Sequence, residues 1–81
     1  MMNCNQHDYV EIACMYRFLV KLTLRSELEM VGIAIDTGRN ECGEECLKIE
    51  ADSVEELVQL DVIEKMEALV ENPHFKMVFF D

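Results

Sequence analysis

The sequence predicts a mainly β protein (α+β by strict count), in which an N-terminal α-helix precedes about five short antiparallel strands. An acidic amphipathic stretch opens the chain, and segments of alternating apolar and polar residues follow it in close succession. These segments leave no room for the crossover helices that parallel strands require. We therefore expect an antiparallel, strongly bent sheet that closes into a small barrel, which would remove exposed strand edges.

Length and charge restrict the possible classes of protein. With 81 residues, of which 51% are apolar, the chain is expected to form one ordered domain over residues 1–81. Its 17 acidic and 7 basic residues give a net charge of −10. Such a charge repels nucleic acid and favours a basic partner surface. The alternative to a basic partner is that the acidity only keeps a small protein in solution.

The sequence also carries no sign of a membrane or export segment. The N-terminus lacks the apolar core of a signal peptide, and no apolar run approaches the length of a membrane span. We expect a cytoplasmic, monomeric protein with no membrane partner. In the cytoplasm its four cysteines would be reduced thiols.

The opening helix is predicted at about residues 6–16, with Asn5 as its N-cap and Asp8 in its first turn. A helix turns by about 100° per residue, and this spacing divides the stretch into two faces. One face carries His7, Asp8, Glu11 and Met15. The opposite face carries Tyr9, Ile12, Ala13 and Tyr16, which we expect to fix the helix to the sheet. The first face is suited to recognition of a partner.

Alternation of apolar and polar residues predicts the strands. They are placed at about residues 17–25, 28–36, 44–50, 56–63 and 75–80. Gly32, inside the second of them, predicts a bulge or a strong bend. Residues 37–43 are predicted to form the clearest loop, and residues 51–53 a hairpin turn.

Residues 51–72 fit two structures about equally well. Val58, Leu60 and Val62 alternate as in a strand. A capping-box pattern at Ser53 and a helical stripe favour a helix instead. The members of that stripe are Val62, Met66, Leu69 and Val70. We interpret residues 56–63 as a strand and residues 64–72 as irregular or as a short helical turn.

No residue pattern predicts catalysis, a cofactor or a metal. Cys42 and Cys46 are spaced too widely for a zinc knuckle, and Cys4 and Cys14 flank a helix. His7 and His74 are the two histidines. A catalytic cysteine would need a histidine held beside it by a third group, and the sequence pattern does not support such an arrangement for either histidine. A phosphate-binding glycine loop and a basic aromatic surface are also missing. We expect no enzyme activity and no direct binding of nucleic acid.

One stretch resembles a known family. The opening stretch is similar to the Rho-binding antiterminator family (Rof/YaeO). The similarity lies in Asn3, Cys4, Asp8 and the run from Glu11 to Cys14, which an apolar strand follows directly. Weaker similarity continues through residues 47–51 and 60–63. Asn5, Gln6 and His7 stand where the family typically has Asp-Asp-Tyr.

The resemblance implies an Sm-like (Hfq-like) fold and favours a strand at residues 58–63. It also implies a function, which is to bind the N-terminal RNA-binding domain of the transcription termination factor Rho, block its primary RNA site and inhibit termination. The predicted partner-binding residues are His7, Asp8, Glu11 and Met15, with Glu41, Glu44 and Glu45 as an extension. An Sm-like RNA-binding protein and a small cysteine-metal protein remain the alternatives.

Overall fold

The computed structural model describes the backbone of residues 4–80 and the side chains of residues 8–80. It contains one helix and six antiparallel strands, with the spatial order β4-β3-β2-β1-β5-β6. The elements in chain order are α1 (Cys4–Met15), β1 (Leu19–Leu24), β2 (Glu29–Arg39), β3 (Glu45–Ala51), β4 (Val54–Gln59), a 3₁₀ turn (Leu60–Val62), β5 (Ile63–Ala68) and β6 (Met77–Phe79). The prediction of a mainly β protein with an N-terminal helix is confirmed.

The predicted closure into a barrel is wrong for the part of the chain that the structure describes. There, β4 pairs only with β3 and β6 pairs only with β5, so these two strands are the edges of an open sheet. The strand predicted at residues 56–63 begins earlier, at Val54, and ends at Gln59, where the 3₁₀ turn takes over.

One strand was not predicted from the sequence. This strand is β5, which covers residues predicted to be irregular or helical. Its pairing with β1 shifts register where Thr23 faces Lys65 and Leu24 faces Ile63, which leaves Glu64 as an extra residue. Because of this bulge, Ile63 and Met66 both point into the core although they are three residues apart. The helical interpretation rested on the apolar stripe Val62, Met66, Leu69 and Val70, of which only Met66 is buried.

Strand β2 joins the two halves of the sheet. Residues 29–33 of this strand pair with β1, and residues 33–39 pair with β3. At the junction, a Cβ atom on Gly32 would lie 2.9 Å from the carbonyl oxygen of Glu50 on β3. The register also shifts between Ala34 and Asp36. The irregularity predicted at Gly32 therefore lies between Ala34 and Asp36 instead, and Gly32 itself allows the close approach of β3.

The loop predicted at residues 37–43 is shorter than expected. Residues 37–39 continue β2, and the turn occupies residues 40–44. The side-chain oxygen of Asn40 accepts hydrogen bonds from the backbone N–H groups of Cys42 (2.9 Å) and Glu44 (3.0 Å). Gly43 adopts a φ of +80°, which favours glycine. The local side-chain bonds allow β2 to run on to Arg39 before the chain reverses.

The core lies between the sheet and α1. The helix packs mainly on β2, with a smaller contact to β6. The buried core residues are Val10, Ala13, Phe18, Val20, Leu22, Ala34, Leu47, Ile49, Val58, Leu60, Ile63, Met66, Val78 and Phe80. Since α1 begins at Cys4, Asn5 lies inside the first turn and Asp8 follows it, so both predicted positions at the helix start are wrong.

Candidate protein-binding surface

One face of α1 points away from the sheet. Asp8, Glu11 and Met15 are exposed, and Met15 keeps 70% of its surface accessible. These three residues follow one another at helical spacing and form one surface. The side chain of His7, predicted on the same face, lies outside the described residues. We call Asp8, Glu11 and Met15 the acidic face.

The opposite side of the helix is held by residues that the sequence prediction only partly identified. Val10 is 1% exposed and Ala13 is completely buried, and they form the centre of the contact. Tyr9 and Ile12 are half-buried beside them. Val10 was missing from the predicted packing face, although its spacing of three from Ala13 is the signal that could have identified it. Tyr16 was predicted to be an anchor but is 53% exposed.

Asp36 on β2 adds a carboxylate that sequence reasoning missed. The Cys14 thiol senses this charge: burial, as the largest cause, and the charges of Asp36 and Glu11 together raise its pKa to about 11, against a lowering by Arg17. Asp36 is thus close to the Cys14 flank of the helix. A thiol with such a pKa stays protonated at neutral pH and is a poor nucleophile. The proximity follows from the packing of α1 on β2, which residue spacing along the chain does not predict.

Aromatic rings cover the other flank of the helix. The ring of Tyr9 meets that of Phe75 edge-on, with centroids 5.5 Å apart. The ring of Tyr16 lies 5.1 Å from that of His74 and 5.7 Å from that of Phe18, both nearly parallel to it. The acidic face is therefore bordered by Asp36 on one side and by an aromatic cluster on the other.

The predicted extension at Glu41, Glu44 and Glu45 lies in the β2–β3 turn and at the start of β3. The Glu44 carboxylate accepts hydrogen bonds from the side-chain amides of Asn40 (3.2 Å) and Gln59 (2.5 Å). Glu45 lies 3.8 Å from the Arg39 guanidinium. The Gln59 contact holds the turn to β4, and Glu41, Glu44 and Glu45 are all exposed.

Within residues 8–80, no group of three or more His, Cys, Asp or Glu side chains is placed to hold a metal ion. Cys14, Cys42 and Cys46 are free thiols. Within the described part of the chain, no helix is long and apolar enough to cross a membrane.

Comparison with known proteins assigns the fold and its exposed helix to a family. The model of the family described as "Modulator of Rho-dependent transcription termination (ROF)" matches residues 1–80. The chain belongs to the Rof family. The resemblance seen in the opening motif is thereby confirmed, and this Rof protein is connected to Rho-dependent termination.

A solved structure agrees with this assignment. The structure described as YaeO bound to magnesium, from Vibrio cholerae O395, is 39% identical to this Rof protein and superposes with a TM-score of 0.88. The match covers 91% of this chain and 96% of that chain. A comparison with curated protein sequences gave no match.

Proposed function

We propose that this Rof protein inhibits Rho-dependent termination by binding the N-terminal RNA-binding domain of Rho through the acidic face, which blocks the primary RNA site. Membership of a family that modulates Rho-dependent termination supports the choice of partner. The observation that carries the proposal is the exposure of Asp8 and Glu11 on one face of a helix whose other face is fixed to the core.

The carboxylates of this face are available to a basic partner. Among residues 8–80, the ion pairs engage Glu29, Glu45 and Glu55, and none involves a carboxylate of the acidic face or Asp36. A surface that binds RNA carries lysine and arginine groups for the phosphates. Carboxylates placed on those groups compete with RNA, and the complementary fields raise the rate of association.

The mechanism requires binding alone. One protein molecule occupying one RNA site is sufficient to inhibit, so we propose a stoichiometric, monomeric inhibitor without catalytic activity. The proposed function also implies a cytoplasmic location, because bacterial termination takes place there. The −10 charge opposes RNA as the direct ligand.

Transcription in vitro tests the proposal. On a template with a Rho-dependent terminator, we expect read-through to increase as the protein is added and to reach a plateau near one protein per Rho subunit. Excess Rho is expected to restore termination, because inhibition occurs by sequestering Rho. Unchanged termination with the protein in excess over Rho would contradict the proposed function.

A further inference from the structure

We infer that Tyr16 and His74 form an aromatic docking site beside the acidic face, and that this site receives an arginine side chain of the partner. The inference rests on the proposed function and specifies the chemistry of the same contact. It adds to that function a non-acidic part of the surface and a preference for arginine over lysine.

The two rings are exposed but held in place. Tyr16 stacks on His74 with centroids 5.1 Å apart and ring planes 20° apart, and on Phe18 at 5.7 Å and 17°. Phe18 is only 8% exposed, so it joins the stack to the core. Tyr16 keeps 53% of its surface accessible and His74 is exposed, which leaves ring surface available to a partner.

The segment that carries His74 is ordered by Asn72. The side-chain oxygen of Asn72 accepts hydrogen bonds from the backbone N–H groups of His74 (2.9 Å) and Phe75 (3.0 Å). Its side-chain N–H₂ donates to the carbonyl oxygen of Val70 (3.0 Å). A surface that is ordered before binding loses less conformational entropy when the partner arrives.

The docking site is continuous with the acidic face. The backbone N–H of Tyr16 donates to the carbonyl oxygen of Ile12 (3.1 Å), so helical geometry extends to Tyr16. Asp8, Ile12 and Tyr16 therefore form one row at spacing of four, and neighbours in such a row lie side by side. Met15 of the acidic face directly precedes Tyr16. A group bound at the acidic face can thus reach the aromatic rings.

This combination fits arginine better than lysine. The guanidinium is planar, binds a carboxylate through two parallel hydrogen bonds and stacks on aromatic rings. The lysine ammonium is a compact, strongly hydrated charge that cannot stack in this way. RNA bases also stack on rings, but the neighbouring carboxylates repel their phosphates.

Binding of Rho by single-site variants tests the inference. We expect Tyr16→Leu to weaken binding about tenfold, because it removes a cation–π contact that binding desolvates. Tyr16→Phe is expected to keep wild-type affinity, because the ring is preserved. His74→Ala is a second variant on an exposed loop residue and is expected to weaken binding about threefold. Phe79→Leu is the matched control, since Phe79 is 62% exposed and lies on β6.

The dependence of the dissociation constant on salt separates this site from the acidic face. Tyr16→Leu should leave the slope of the salt dependence unchanged, because no charge is removed, whereas loss of Asp8 and Glu11 should reduce it. Wild-type affinity of Tyr16→Leu for Rho would overturn the inference and leave the proposed function standing. Failure of the wild-type protein to bind Rho would overturn the proposed function itself. RNA binding that Tyr16→Leu abolishes would overturn the arginine assignment in favour of nucleobases.

Discussion

Replacing Asp8 and Glu11 together with lysine is expected to weaken binding to Rho by about 100-fold. Each replacement removes a carboxylate from the acidic face and presents a positive charge to the lysine and arginine groups of the partner. Both side chains are exposed, so the fold should be retained. Titration of labelled Rho with the variant, together with circular dichroism of the variant, measures the effect.

A control with the same change of net charge distinguishes a local contact from the general field of the protein. Glu56→Lys with Glu64→Lys also moves the formal charge from −10 to about −6. These glutamates are exposed on β4 and β5, whereas the helix packs mainly on β2. We expect this pair to weaken binding less than fivefold. Equal losses in the two double variants would remove the acidic face from the mechanism.

Gly32→Ala is expected to lower the free energy of unfolding by about 2 to 3 kcal/mol. The added Cβ would lie 2.9 Å from the carbonyl oxygen of Glu50, and this oxygen belongs to backbone that cannot rotate away. The β2–β3 ladder would have to shift at the point where β2 changes partner. In a domain of this size, such a loss corresponds to a fall in Tm of roughly 10 to 20 °C.

Gly38→Ala is the matched control for this variant. A Cβ at Gly38 would meet only the Leu57 side chain, at 4.0 Å. Both substitutions restrict the unfolded chain equally, which by itself stabilises a protein slightly. The difference between the two urea denaturation midpoints therefore isolates the close approach at Gly32. Equal stability of the two variants would show that the bend tolerates a side chain there.

The sequence predicted best what depends on neighbours along the chain. The helix, its exposed residues Asp8, Glu11 and Met15, and the first strands follow from simple periodicity. The turn at Asp52 and Ser53, where both residues have positive φ, was also predicted. In each case the signal is a spacing or a turn that local chain geometry determines.

The sequence predicted less well what depends on pairing between distant segments. β5 was missed because Val62, Met66, Leu69 and Val70 stand at a helical spacing, although only Met66 of these four is buried. Closure of the sheet was assumed because it removes edges, but no local signal decides whether β4 and β6 meet. Asp36 reaches the Cys14 flank of the helix only through the fold of β2. The stack of Tyr16 on His74 joins residues that are far apart in the chain.

Displacement of RNA from Rho tests the central claim most directly. A labelled RNA oligonucleotide is bound at the primary RNA site of Rho, and the protein is added while RNA release is followed by fluorescence anisotropy. We expect full release with increasing protein, and an inhibition constant that rises in proportion to the RNA concentration, because the two ligands compete for one site. A ternary complex in which the RNA-binding domain of Rho holds the oligonucleotide and the protein together would contradict the account.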